Sequence, residues 1–166
     1  MCPSQDHPVS IGKIVTNLQS LEFALRLFLD ETQGHSKIAK EIPVDLTKLA
    51  VGELVPENYF TNYDTLKQLI RKANVELQTR GLSERIDESI VELRDAIAHG
   101  RVLSLHPDGP FRILKFSKPT DSKTQVEISV EMTPDWLSRQ TKRTHDEILK
   151  IVRLGWSLGL NCFPKE

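Results

Sequence analysis

The segment at residues 93–101 contains side chains of the types, and at the spacing, that a catalytic site could use. Arg94 is followed directly by Asp95, His99 stands four positions after Asp95, and Arg101 follows His99 by two positions. A histidine that titrates near neutrality can accept or donate a proton, and a guanidinium can hold two oxygens of an anionic transition state. The segment therefore predicts a site for proton transfer at a centre that gains negative charge.

Helix geometry limits how these side chains can meet. Residues five apart on a helix are separated by about 140° around its axis, so Arg94 and His99 of one chain are not expected to be neighbours on one face. A shared cleft would require the helix to unwind near Gly100, or a second subunit to bring its own pair. Asp95 and His99 do share a face, and the carboxylate is expected to orient the imidazole.

The same residues resemble the motif of the HEPN superfamily, in which an Arg, often followed by a polar residue, precedes a His. The match here is Arg94, polar Asp95 and His99, with four residues between the Arg and the His. The resemblance implies an all-α up-and-down bundle that is usually dimeric. In active members it also implies metal-independent endoribonuclease chemistry, with Arg and His from both subunits lining one cleft.

Under that resemblance each residue of the motif has an expected role in cleaving RNA through its 2′-hydroxyl. His99 acts as acid or base towards the 2′-hydroxyl or the departing 5′-oxygen, Arg94 stabilises the crowded phosphorane, and Asp95 orients His99. The four-residue spacing also occurs at Arg101–His106, and a five-residue spacing, which the family motif allows, occurs at Arg139–His145. The first of these pairs leads into a strand and turn, and the second lies within a long helix, where His145 is interpreted as a core-edge residue.

Three further arginines are predicted to bind the substrate: Arg101, Arg139 and Arg143. For Arg139 and Arg143, which belong to the last helix, the prediction depends on their facing the same cleft as His99. Trp136, near the start of that helix, could stack a base. The alternative is a solvated helix face on which Trp136 is a packing anchor.

The helices that position these residues follow from apolar spacings of three and four residues. The spacing predicts a first helix at 10–33, a second from Thr61 or Asn62 to residue 80, and a third capped by Ser83 that ends at residue 99. Gly100 is expected to close the third helix in a left-handed conformation. Phe23 lies off the apolar stripe of the first helix, which indicates either a core helix or a second packing surface for another subunit.

The pattern then changes to strict alternation, which is typical of strands with one wet face. Strands are predicted at about 102–105, 111–116 and 126–132, with a turn at 106–110, and Thr133-Pro134 opens the last helix. The predicted fold is mainly α: an up-and-down four-helix bundle with a small antiparallel β-meander, at about 101–132, inserted before the last helix. A length of 166 residues fits a single domain at 1–166.

Composition excludes several classes of protein. A formal charge of −1 argues against a basic protein that coats duplexes. The five histidines are scattered and the common phosphate-loop and metal motifs are lacking, so neither a metal site nor a cofactor is predicted. Cys2 and Cys162 form no disulfide framework. The chain shows neither a secretory signal nor a membrane-spanning stretch, and a cytoplasmic location is expected.

Two functions remain from the sequence. The first is a dimeric HEPN-type endoribonuclease that acts on RNA, as a toxin or defence component with an antitoxin or other protein partner. The second is a non-catalytic HEPN-like module that dimerises and binds a protein or nucleotide partner. The first predicts that the site at Arg94 and His99 cleaves RNA, and the second predicts that it does not.

Overall fold

The computed structural model describes residues 6–33, 48–104 and 109–163. In this part of the chain there are four helices and three strands: α1 (Asp6–Thr32), α2 (Leu66–Thr79), α3 (Ile90–His99), β1 (Arg101–Leu103), β2 (Arg112–Phe116), β3 (Val126–Glu131) and α4 (Pro134–Ser157). The predicted fold class, mainly helical with a small antiparallel sheet before the last helix, is confirmed. No helix among these residues is long and apolar enough to cross a membrane.

The chain groups into two compact units, residues 1–20 with 89–146 and residues 21–88 with 147–166. The first unit contains the sheet, and its buried apolar side chains are Ile14, Leu18, Ile90, Leu93, Ala96, Ile113, Met132 and Leu137. The second unit buries Leu21, Ala24, Leu25, Phe28, Leu29, Leu66, Leu69, Ile70, Ala73, Leu77, Ile86, Ile151, Leu154 and Phe163. The candidate site lies in the first unit.

The sheet has the strand order β1-β2-β3, and both pairs are antiparallel. Arg101 stands opposite Leu114, and Ile113 stands opposite both Val102 and Val130. Ile113 is fully buried, so the central strand anchors the sheet to the core of the first unit. Most of the turn predicted at 106–110, together with His106, lies outside the described residues.

The predicted start of the second helix is wrong by several residues. Neither Thr61 nor Asn62 caps it, because a reciprocal capping box lies further along the chain at Thr65 and Gln68. The Thr65 hydroxyl accepts from the backbone N–H of Gln68, and the Gln68 side chain accepts from the backbone N–H of Thr65 at 2.8 Å. These bonds satisfy two N–H groups that a helix start would otherwise leave unpaired, so α2 begins at Leu66.

The predicted start of the third helix at Ser83 is also wrong. The chain is not helical between residues 82 and 87, and α3 begins at Ile90 after Ser89. Ile86 is nevertheless buried. The side chain of Asn74 pairs both backbone groups of Ile86, donating to the carbonyl at 3.0 Å and accepting from the N–H at 2.8 Å. A side-chain amide thus replaces the helical bonds that the spacing predicted.

Gly100 ends α3, but not in the predicted left-handed conformation. Its φ is −71° and its ψ is 160°, so the backbone is extended and continues directly into β1. Glycine is required here for space: a Cβ built at this position would overlap the carbonyl oxygen of Ala96 and would lie 2.8 Å from Cγ1 of Ile113. The close approach of the helix end to the central strand fixes where His99 stands.

The last helix begins as predicted. Thr133 precedes it, and its hydroxyl accepts from the backbone N–H of Trp136 at 3.2 Å, as an N-cap does.

In the second unit, Phe23 is half exposed and its ring lies 5.7 Å from that of Phe60. The second packing surface for another subunit stays a prediction.

Candidate functional site

The candidate site occupies the solvent side of α3. This helix buries Ile90, Leu93 and Ala96 in the core of the first unit. The three motif residues lie on its other side, where Arg94 and His99 are exposed and Asp95 is half-buried. The fold therefore presents the motif to solvent on a rigid element, with His99 as the last residue of the helix.

Arg94 and His99 are in contact within one chain. A guanidinium nitrogen of Arg94, Nη1, lies 3.4 Å from Nε2 of His99. The sequence expectation that the two would not be neighbours was wrong, because the long arginine side chain reaches around the helix surface that separates the two backbone positions. Since a guanidinium has only donors, Arg94 is the donor of this contact when Nε2 of His99 carries no proton.

Asp95 does not orient His99 in the way that the sequence suggested. Its Oδ1 accepts from Nη1 of Arg94 at 3.1 Å, and within the described residues its carboxylate makes no hydrogen bond to His99. The ion pair is open to solvent, so its contribution to stability is at most about 1 kcal/mol. Its effect is on geometry: the same Nη1 that contacts His99 is held by Asp95.

Arg101 lies at the start of β1, immediately after Gly100. The carbon at the centre of its guanidinium is 5.0 Å from the centre of the Phe116 ring on the neighbouring strand, which is the geometry of a cation–π contact. The predicted substrate contact is thus a residue that already stacks on an aromatic ring. Arg101 as a whole remains exposed.

Arg139 and Arg143 are predicted as further substrate contacts on the condition that they face the same cleft as His99. Arg139 is exposed on α4. Arg143 lines a groove of about 390 Å³ together with Trp136, Glu92 and Leu93, where it donates to the side chains of Ser89 and Gln140. Arg94, Asp95 and His99 do not line that groove.

Sequence reasoning missed a polar groove of about 470 Å³ between α1 and α4 in the first unit. From α1 it is lined by Ser10, Lys13 and Asn17, and from α4 by Ser138, Thr141, Lys142 and His145. His145 is exposed here rather than at the edge of the core. The signal was present as two polar stripes at helical spacing, but such a stripe is also typical of an ordinary solvated face.

In the second unit the fold shifts the pKa values of Cys162 and Glu31. Burial, a hydrogen bond to Glu31 and the charge of that carboxylate raise the pKa of the Cys162 thiol to about 12. Burial also acts to raise the pKa of Glu31, but hydrogen bonds from Cys162 and Asn161 outweigh it, so that pKa is lowered.

In residues 6–33, 48–104 and 109–163, no three His, Cys, Asp or Glu side chains cluster as a metal site would require.

Comparison of the chain with models of known protein families, with curated proteins and with solved structures gives no match.

Proposed function

We propose that this protein is a cytoplasmic, metal-independent endoribonuclease of HEPN type that works as a homodimer. The observation that carries the proposal is the 3.4 Å contact between Nη1 of Arg94 and Nε2 of His99 on an exposed helix face. It joins a group that transfers protons to a group that holds anionic oxygens, and it occurs at the spacing that resembles the HEPN motif. A role as a toxin or defence component, with an antitoxin or other protein partner, belongs to the same proposal.

The proposed reaction begins with the 2′-hydroxyl of RNA. Nε2 of His99 leaves Arg94 and accepts the 2′-hydroxyl proton, while O2′ attacks the adjacent phosphorus. The bond from O2′ to phosphorus forms and the bond from phosphorus to O5′ breaks, which leaves a 2′,3′-cyclic phosphate. A protonated imidazole donates a proton to O5′, which departs as a hydroxyl. No electron is gained or lost, and the groups that take part are the imidazole of His99 and the guanidinium of Arg94 from the two subunits of the proposed dimer.

Arg94 acts where negative charge accumulates in this reaction. Its guanidinium can donate two parallel hydrogen bonds to the non-bridging oxygens of the phosphorane. Asp95, 3.1 Å from Nη1, is a positioning residue that holds the guanidinium near His99. In the proposed dimer the second subunit supplies another such pair, so that one imidazole can remove a proton while the other delivers one.

The test is an RNA cleavage assay with single-stranded substrate and a chelator present. His99→Ala is expected to lower the rate by about 100-fold or more, as the loss of a general base does, and Arg94→Ala by about 100-fold, as the loss of one oxyanion donor does. Both side chains are exposed, so both variants are expected to melt near the wild-type temperature. Arg153→Ala, which removes an exposed arginine from α4 in the second unit, is the matched control and is expected to cleave normally.

One observation favours the alternative, a non-catalytic dimeric module that binds a protein or nucleotide partner. Arg94, Asp95 and His99 lie on an open helix face, and the groove next to α3 that is lined by Leu93 and Arg143 does not include them. The alternative predicts no cleavage of single-stranded RNA at any pH between about 5 and 8. It gains support if the protein is monomeric, or dimeric with the two Arg94–His99 pairs far from the twofold axis.

A further inference from the structure

The polar groove between α1 and α4 has a fixed floor. The side-chain amide of Asn17 donates to the carbonyl of Thr141 and to the hydroxyl of Thr144, both at 3.1 Å. Thr144 is fully buried, and its hydroxyl donates in turn to a backbone carbonyl of its own helix. Because these bonds tie α1 to α4 at this level, the groove is built into the fold of the first unit.

The rim of the groove carries positive charge and hydroxyl groups. Lys13 from α1 faces Lys142 and His145 from α4, with Ser10 and Ser138 beside them. Each of these five side chains can donate a hydrogen bond, and neither Asp nor Glu is among the described residues that line the groove. The groove therefore complements an anion rather than a cation or an apolar group.

Two details decide how much of this charge a ligand would meet. Lys13 is exposed and makes no ion pair within the described residues. Lys142 lies 2.6 Å from Asp146, but both side chains are at least half exposed, so the pair contributes little and its lysine keeps further donors. The charge of Lys13 is thus fully available and that of Lys142 is partly offset.

We infer that this groove binds phosphate groups. Ammonium groups recognise a phosphate as compact point charges, and hydroxyls supply hydrogen bonds to its remaining oxygens. The lined stretch of each helix, Ser10–Asn17 and Ser138–His145, extends about 10 Å, enough for one or two phosphates. Their source is a mononucleotide or the backbone of single-stranded RNA. The inference goes beyond the proposed cleavage, because it concerns other residues and requires no reaction.

The experiment measures binding with probes that cannot be cleaved. A fluorescein-labelled 2′-O-methyl oligonucleotide lacks the attacking hydroxyl, and its anisotropy is titrated with wild type, Lys13→Gln and Lys67→Gln at several salt concentrations. Lys67 is an exposed lysine on α2 in the second unit, so its variant carries the same change in net charge. Adenosine 5′-monophosphate is added as a competitor, which separates a mononucleotide ligand from an RNA strand.

For the RNA strand we expect Lys13→Gln to bind about fivefold more weakly at about 0.1 M salt, with a salt slope shallower by about 0.7, because one phosphate contact is lost. Lys67→Gln should match wild type. Displacement of the oligonucleotide by the monophosphate would identify the nucleotide as a ligand. Failure of the wild type to bind both the oligonucleotide and, by calorimetry, the monophosphate would overturn the inference, as would equal affinities for Lys13→Gln and Lys67→Gln. Neither result bears on cleavage, which is measured separately with His99→Ala.

Discussion

Gly100, which separates the site helix from the sheet, gives the sharpest test of the fold around His99. A methyl group at this position would overlap the carbonyl oxygen of Ala96 and crowd Cγ1 of Ile113 at 2.8 Å. The carbonyl belongs to the last turn of α3 and accepts the N–H of Gly100 itself at 2.7 Å, so it cannot move aside without breaking the helix end. Gly100→Ala should therefore destabilise the protein.

The size of the effect follows from the crowding. Overpacking a filled site costs about 1–3 kcal/mol, and a loss of 1 kcal/mol lowers Tm by about 2–4 °C in a protein of this length. We expect Gly100→Ala to melt about 2–12 °C below wild type. Gly12→Ala is the matched control: nothing lies within 4 Å of a Cβ built at Gly12, which is exposed within α1. It should gain about 0.5–1 kcal/mol.

A third variant separates the two reasons for a glycine at position 100. If Gly100 were left-handed, as its place at a helix end suggests, Asn would replace it better than Ala would. Its φ is −71°, so Asn should be no better than Ala, since Asn adds the same Cβ and a carboxamide group as well. Thermal melts followed by circular dichroism measure all three variants. A Gly100→Ala protein as stable as wild type, or a clear advantage for Gly100→Asn, would refute the reasoning.

Two further predictions concern the contact between Cys162 and Glu31. Burial and the adjacent Glu31 carboxylate raise the pKa of Cys162 to about 12. Iodoacetamide at pH 8 should therefore label the Cys162 thiol far more slowly in the native protein than in urea. Equal labelling rates would contradict this prediction. The pKa of Glu31 is lowered in the fold, so its stabilising effect is present above about pH 4.5 and is lost as the pH falls through that lowered value. In urea unfolding, Glu31→Gln should lower the free energy of unfolding by about 1 kcal/mol at pH 7 and leave it unchanged at pH 2. An equal loss at both pH values would contradict the prediction.

Much of the fold was predictable because it depends on spacing. The period of 3.6 located the helices, and alternation located the strands, since each pattern buries one face. The errors lie at the starts of the second and third helices and at Gly100, where side-chain hydrogen bonds and local crowding decide the conformation. Nothing near Ser83 indicates that the amide of Asn74, twelve residues before Ile86, would bond the backbone there.

The candidate site was predictable in its residues and not in its contacts. Helix angles locate the backbone positions of Arg94 and His99, but the reach of an arginine side chain decides that they meet at 3.4 Å. Angles also made Asp95 the natural partner of His99, whereas it pairs with Arg94. The polar groove was not predicted because Lys13 and Lys142 each belong to an ordinary solvent-exposed helix face. Only the packing of α1 on α4 brings the two lysines together.

The central claim is that Arg94 and His99 cleave RNA without a metal ion. The most direct measurement is the cleavage of single-stranded RNA, with a chelator present, by wild type, His99→Ala and Arg94→Ala at matched concentrations. The account predicts that wild type yields 2′,3′-cyclic phosphate ends and that both variants are about 100-fold slower or worse. Unchanged cleavage by either variant, cleavage that requires a divalent metal, or no cleavage by wild type would contradict it.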